Sequence, residues 1–413
     1  MKIKIRRKYL FFTLAISSAL IAALISGIDT IATKQISDPS VLTLSCFILG
    51  VIMSFILGTI LSLKIKGKTI GSKTIDPTFK GIRFLKKEEF FYHVLAGFGN
   101  ALFTLGYFYL LKDLGDVSVV LPFTQVTILY LVIFESITEK DTPTLIEVQS
   151  AIIVTFGAIL GSISLGNGLN PINLAVVFFV INPGWMIFTI YQRKLKLLKI
   201  NKKPNDAINI RIWNVFFAMI ISIIFILIID LYNGTNNIVN CFRQTINYAW
   251  IMGIIAFGTF FNFILYIRAL GIGKASVTQA VKSSVIIFSI PVTIVLSLFG
   301  FEGLSSDPIM LLIKFIGVVL IILGISTFAL SLTKAYIFIR VKSGYDIEET
   351  MNKIWKIRGV NRVCAVAGPY DLMVKVRTRT LVKGYERILS KIQDIPGIKE
   401  YKWQSVLKEW EDI

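Results

Sequence analysis

Ten apolar stretches, each near the ~20 residues that a helix needs to cross a bilayer, occupy most of this 413-residue chain. They run over 10–33, 40–63, 90–111, 117–135, 148–165, 172–191, 211–231, 248–269, 275–299 and 309–331. In hydrocarbon every backbone polar group must be paired within the protein, so such runs can only be helices of a bundle. Composition agrees: 17% of residues are charged, against about a quarter in soluble proteins. Met1 to Lys8 followed by an apolar run mimics a signal peptide. The run is longer than a cleavable signal core, and nine more follow, so it reads as the first spanning helix.

The charge pattern separates two parts. Residues 1–333 carry 28 basic and 15 acidic residues, and residues 334–413 carry 16 and 10, a density typical of a soluble domain. Lys and Arg in the loops set orientation. They cluster in the N-terminal tail (Lys2, Lys4, Arg6, Arg7, Lys8), after stretch two (Lys64 to Lys87) and after stretch six (Arg193, Lys194, Lys196, Lys199, Lys202, Lys203, Arg211). The opposite loops hold only Lys34, Lys112 and Arg243. Both termini are therefore expected in the cytoplasm. The segment after stretch four is acidic (Glu135, Glu139, Asp141, Glu147) and carries little weight in this rule.

Cys46, Cys241 and Cys364 lie far apart, and His93 is the only histidine, which excludes a Cys/His metal site and a disulfide framework. Gly67 to Thr74 imitates a phosphate loop, but only three residues separate its glycines and Ser72 intervenes before Lys73, so it reads as a basic linker. No cofactor and no set of catalytic residues is expected.

The ten stretches repeat as two fives. Gly115-Asp116-Val117-Ser118-Val119 matches Gly273-Lys274-Ala275-Ser276-Val277 at an offset of 158, and Gly157 and Gly324 mark the fifth stretch of each half. Five is odd, so the second copy enters from the opposite side, as in the inverted repeats of many secondary transporters. These turns, the glycine-rich fifth stretches and the segment Gly27-Ile28-Asp29-Thr30-Ile31-Ala32-Thr33-Lys34 resemble the EamA branch of the drug/metabolite transporter superfamily over about residues 10–331. The resemblance implies alternating-access transport, often export, of a small metabolite through a cavity shared by both halves. It does not fix the substrate.

Polar side chains inside lipid tend to face a bundle interior. Stretch three places His93, Gly97, Asn100, Thr104 and Tyr107 on one face, and stretch eight places Thr259, Asn262 and Tyr266. Stretch nine offers Ser276, Gln279, Lys282 and Ser283, and stretch four Ser118, Pro122 and Gln125. The candidate cavity residues are Lys282, Asp29, Asn100, Tyr107, Gln125, Asn262 and Gln279. Lys282 would hold a carboxylate or phosphate, unless it snorkels or pairs with an acid. Asp29 would take an amino group or a coupling proton, unless it sits at the outer helix end beside Lys34. For Asn100, Gln125 and Asn262 the competing role is hydrogen bonding between helices. His93 is expected at the membrane edge. Pro122, Pro183 and Pro291 are candidate helix breaks or kinks.

The tail alternates as a strand over 335–341, shows helical spacing over 346–357 and 380–395, and supplies strands over 360–367, 370–376 and 398–407. That order is ferredoxin-like. The opening Ala335-Tyr336-Ile337-Phe338-Ile339, Gly359-Val360, Gly368-Pro369-Tyr370-Asp371-Leu372 and Ile395-Pro396-Gly397-Ile398 resemble the small-ligand-binding domain of Lrp/AsnC-type regulators. The resemblance implies paired domains, hence a homodimer through the tail, and an amino-acid effector for which Gly368, Tyr370 and Asp371 are candidates. Gly368 and Pro369 could equally serve only the turn. The DNA-binding helices of those regulators are absent, so no nucleic-acid partner is expected.

The expected fold is an all-α polytopic membrane protein, ten transmembrane helices in two inverted five-helix repeats, with a C-terminal α+β ferredoxin-like domain. The expected domains are a basic tail (1–9), two transmembrane repeats (10–165 and 172–331) and a cytoplasmic ligand-binding domain (335–413). The expected function is secondary transport, as an exporter of a small polar metabolite such as an amino acid, across the plasma membrane. The alternative is a membrane-bound receptor that binds a small ligand without transport.

Overall fold

The computed structural model describes residues 7–115, 117–138, 145–162, 171–200, 203–300, 308–330, 333–357, 359–378 and 388–405. The chain divides into two compact units, one of residues 1–141 with 151–325 and one of 142–150 with 326–413.

Among the described residues of the first unit, seven helices are long and apolar enough to cross a membrane: Tyr9–Gln35, Pro39–Ser62, Lys87–Leu114, Pro171–Leu197, Ala207–Asn233, Ala249–Leu270 and Ala275–Leu298. The other three apolar stretches also hold helices, with shorter apolar cores at Val120–Glu135, Val148–Gly157 and Phe315–Gly324. In chain order these elements are α1 (Arg7–Gln35) and α2 (Pro39–Ser62), the hairpin β1 (Lys64–Ile65) and β2 (Lys68–Thr69), the short α3 (Ile70–Thr74), α4 (Lys87–Leu114), α5 (Val117–Thr124), α6 (Thr127–Thr138) and α7 (Leu145–Ser162). After these come α8 (Pro171–Ala175), a π-helical turn (Val176–Ile181) and α9 (Asn182–Leu197), then the hairpin β3 (Lys199–Ile200) and β4 (Lys203–Pro204). The remainder is α10 (Ala207–Asn233), α11 (Asn237–Asn247), α12 (Ala249–Leu270), α13 (Ala275–Lys282), α14 (Val285–Leu298) and α15 (Pro308–Leu330).

Local chemistry sets the ends. Asp38 caps α2 by accepting from Ser40 N at 2.7 Å, with Pro39 in the first turn, and Asp206 caps α10 through Asn209 N at 2.7 Å. α4 and α9 pack backbone against backbone. A Cβ on Gly99 would stand 2.5 Å from Phe188 N, and one on Gly184 2.8 Å from Phe103 N, so only glycine lets these backbones meet. α7 and α15 meet at Gly157, where a Cβ would lie 2.7 Å from Gly317 O.

Two helices break where the sequence offers only weak signals. α5 passes to α6 through a tight turn at Gln125 and Val126, and α13 to α14 through one at Ser283 and Ser284. In both, amides bond three residues back: Gln125 N to Pro122 O (3.0 Å), Ile128 N to Gln125 O (3.0 Å), Ser283 N to Ala280 O (3.2 Å), Ile286 N to Ser283 O (3.1 Å). Pro122 precedes the first break. Pro291 lies inside an unbroken α14, so the second break falls upstream of the proline that marked it. Pro183 follows the π-helical turn.

The segments after α2 and after α9 lock together through buried polar groups. The motif at Gly67 is a hairpin turn, with Lys66 and Gly67 at φ 52° and 76°, and Thr69 caps α3. Arg83 donates to both oxygens of Glu89 (2.6 and 2.7 Å), and Asn205 Nδ2 donates to Glu89 Oε1 (2.6 Å). Asp76 Oδ2 accepts from Lys196 Nζ at 2.7 Å and from Ala207 N at 2.8 Å.

In the second unit, β5 (Thr333–Val341), β6 (Val360–Ala365), β7 (Leu372–Thr378) and β8 (Ile398–Ser405) form an antiparallel sheet in the order β6-β7-β5-β8. α16 (Ile347–Trp355), capped by Asp346, follows β5. Residues 388–393 are helical; the expected second helix lies outside the described residues before 388. Ala335, Ile337 and Ile339 are fully buried with Leu372, Val374, Ile354 and Ile392, so the alternation read along β5 gives the core face.

Asp76 supplies a test of the lock. Burial pushes its carboxyl up, but the Lys196 charge and hydrogen bonds from Lys196, Ala207 and Thr78 outweigh that and hold it below its ordinary 3.8. A carboxylate held low contributes its stability fully above the unfolded value and loses it as pH falls through the folded one. Asp76 therefore contributes a constant stability from neutral pH down to its ordinary range, and less in stronger acid. In Lys196→Met the burial stays and the counter-charge goes. The variant should lose about 3–5 kcal/mol at neutral pH and recover part of it as pH is lowered, in melting curves of the detergent-solubilised protein. A variant whose melting temperature tracks the wild type at every pH would show that the pair contributes nothing.

Candidate functional site

The seven long helices and the α5–α6 break line a cavity of about 140 Å³, roughly ten times the space one water requires. Its wall includes all seven residues singled out in the sequence: Asp29 from α1, Asn100 and Tyr107 from α4, Gln125 from the first break, Asn262 from α12, and Gln279 and Lys282 from α13.

Lys282 is buried and meets no carboxylate among the described residues. It is 5% exposed, and its Nζ lies 4.2 Å from the ring centroid of Tyr266, 4.4 Å from Trp185 and 5.5 Å from Phe263. Aromatic faces attract a desolvated ammonium. The rings are fixed by Gln279, whose Oε1 accepts from Trp185 Nε1 and from Tyr266 OH, both at 2.9 Å. Gln279 Nε2 donates to Gln125 Oε1 at 3.0 Å, and Ser283 Oγ donates to the same oxygen at 3.0 Å. Gln125 and Ser283 are 158 residues apart, so the two helix breaks bond to each other at the offset found in the sequence.

Asp29 is 6% exposed and is bonded to Tyr107, whose OH donates to Oδ2 at 3.2 Å; Oδ1 has no partner among the described residues. The Phe103 ring is 5.9 Å from Tyr107 and 4.4 Å from Trp185, so a run of aromatic rings leads from the phenol bonded to Asp29 to the indole beneath Lys282. Asn100 Nδ2 donates to Asn214 Oδ1 (3.2 Å), and Asn262 Oδ1 accepts from Ser18 Oγ (2.6 Å). These two amides line the cavity and also join helices.

The rest of each expected face divides. Thr104 and Thr259 line the cavity, whereas Gly97 packs on α10 and Tyr266 is fully buried beneath Lys282. Ser276 turns away to Glu135, and the Ser118 side chain lies outside the described residues. His93 is fully buried, stacked on Phe217 at 6.2 Å between centroids.

Two charged residues were misread from sequence. Arg211 had counted as a loop cation. It sits in the second turn of α10, 3% exposed, on the cavity wall and 4.4 Å above the Phe263 ring. The spacing of Arg211, Asn214, Ala218 and Ser222 along an apolar helix was the available signal. Glu135 had counted as a loop acid. It is buried in α6 and accepts from Ala275 N (2.8 Å) and Ser276 Oγ (2.6 Å), capping α13 from a different helix. Trp185 carried no sequence signal beyond its neighbours Pro183 and Gly184.

In the second unit, Gly368 is exposed at φ 146°, a conformation that favours glycine, with open space where a Cβ would stand. Tyr370 is half-buried, 5.8 Å from the Phe338 ring. Asp371 is committed to the fold, since its Oδ2 accepts from Val341 N at 2.8 Å and its own N–H donates to Ile339 O at 3.0 Å. Gly368 and Tyr370 are thus the open side of this hairpin.

Comparison with known proteins follows the same division. Residues 13–163 match the EamA-like transporter family, and residues 334–412 match the Lrp/AsnC ligand binding domain. No curated protein matches the chain. A solved structure described as "Crystal structure of protein" aligns over 76% of this chain and 98% of its own, at 14% identity and a TM-score of 0.45. The structure of E. coli AsnC aligns over 29% of this chain and 84% of its own, at 19% identity and a TM-score of 0.20. By the two family matches, one chain joins a multi-pass membrane transporter domain similar to the EamA-like family with a small-ligand-binding domain similar to that of Lrp/AsnC.

Proposed function

We propose that the protein is a secondary transporter, an exporter of a small polar metabolite of the amino-acid class, working by alternating access between two inverted five-helix repeats. One observation carries the reading: the cavity wall carries a carboxylate, Asp29, and an ammonium, Lys282, that has no acid beside it among the described residues. Those two groups complement the ammonium and carboxylate of a zwitterion. Burying a charge without a counter-charge is costly, and a bound solute would supply what the protein omits. The breaks at Gln125 and Ser283 support the repeat and its motion, because a tight turn inside a helix is a ready hinge. The basic loops favour cytoplasmic termini in the plasma membrane. The tail domain would bind an amino-acid effector at Gly368 and Tyr370, pair with a second copy, and bias transport by binding one state of the transporter better than the other.

Flux tests the first part. Liposomes containing the full chain and loaded with single labelled amino acids should release a subset of them faster than empty liposomes, and Lys282→Ala should lower that release by at least about tenfold, the equivalent of one charge-assisted contact. Folded protein that binds a ligand but releases nothing would favour the receptor. The second part is read by equilibrium dialysis of the full chain. Tyr370→Ala should weaken effector binding about tenfold, a loss of about 1.4 kcal/mol. Unchanged affinity would remove Tyr370 from that site.

A further inference from the structure

Three partly buried cations of the first unit stand beside acids: Arg83 holds Glu89 at 2.6 Å, Lys196 holds Asp76 at 2.7 Å, and Arg193 lies 3.7 Å from Glu135. Two more deeply buried cations of that unit do not. Arg211 and Lys282 are 3% and 5% exposed, both line the cavity, and both lean on the ring of Phe263, at 4.4 and 5.5 Å from its centroid. Arg211 Nε and Nη1 have no hydrogen-bond partner among the described residues, and neither cation has an acid beside it there. Of the described residues on the cavity wall, Asp29 alone is acidic, and it is bonded to Tyr107, the first of a run of rings that continues through Phe103 to Trp185.

We propose that Arg211 and Lys282 together form an anion subsite, and that the solute taken by this cavity is an acidic amino acid. The proposal rests on reading the cavity as the transport site. Two cations and one carboxylate leave one positive charge unmatched. A neutral zwitterion would fill Asp29 and one cation and leave the other buried and bare. A solute with two carboxylates and one ammonium matches all three. The guanidinium adds shape: a carboxylate lies across two parallel N–H groups, which an amide of the same size cannot copy. The expected order of affinity is therefore acidic, then neutral, then basic amino acids.

The test is binding of labelled L-glutamate, its neutral isostere L-glutamine and L-lysine to the purified full chain, by scintillation proximity, in the wild type and in Arg211→Gln, Arg211→Lys and Lys282→Gln. The wild type should prefer glutamate to glutamine by at least about tenfold. Arg211→Gln and Lys282→Gln should each bring that ratio close to one, and Arg211→Lys should keep part of it. Where Arg211→Gln fails to give a single size-exclusion peak, Arg211→Lys and Lys282→Gln decide. No preference in the wild type, or a preference untouched by all three variants, overturns the subsite. Displacement of bound label by inorganic phosphate better than by glutamate overturns the amino-acid class. Flux in liposomes separates the two readings: selective glutamate binding without flux sinks transport and leaves the subsite standing, whereas flux of neutral solutes with no glutamate preference sinks the subsite and leaves transport.

Discussion

A helix broken inside a membrane needs protein groups to take up the backbone bonds it gives away. That constraint organises the centre of this molecule. At the α5–α6 break the Gln125 amide turns back to the freed carbonyl of Leu121 at 3.2 Å and to Thr124 Oγ1 at 2.7 Å, while its oxygen receives Gln279 and Ser283 from the other break. Gln279 in turn holds the indole and phenol beneath Lys282. A single chain of side-chain bonds therefore runs from the backbone of one helix break, through the second, to the rings that carry the cavity's ammonium.

The charge distribution follows a division of labour. Where two segments must stay together, as between the segment after α2 and the segment after α9, cations and carboxylates are matched and their remaining donors are used by amides. On the cavity wall Arg211 and Lys282 lie over aromatic faces, with no acid beside them among the described residues. A cation over a desolvated ring gains about 2 kcal/mol or more, less than a hydrogen-bonded counter-ion gives. Ring faces hold these charges in place without saturating their N–H groups, which remain available to a solute.

Much of this was legible in the sequence. A charge inside an apolar run is costly, which singles out Lys282 and Asp29 in the sequence, and helical spacing marks Asn100, Tyr107, Asn262 and Gln279, all of which line the cavity. Arg211 and Glu135 were lost for the opposite reason. Each lies at the end of an apolar run, where charges are ordinary, and only tertiary packing tells a snorkelling side chain from one drawn inward. The break at Ser283 was hidden because serine is tolerated in a helix, so its failure there depends on Gln125, 158 residues away. In the tail, alternation along β5 gave the buried face directly, but the commitment of Asp371 to the Val341 amide depends on a pairing between strands that periodicity does not register.

The cap on α13 has a mechanical side. The side chain of Lys274, at the N-cap position, does not cap α13, and the first amides of α13 are met by Glu135 of α6, with Arg193 of α9 behind it. A helix start that borrows its cap cannot slide past the lender without exposing buried N–H groups and a bare carboxylate. α6 and α13 are therefore coupled at this end like two arms on one pin, free to tilt about Glu135 but not to separate there. The tight turns at Gln125 and Ser283, further along the same two helices, are where the arms can bend.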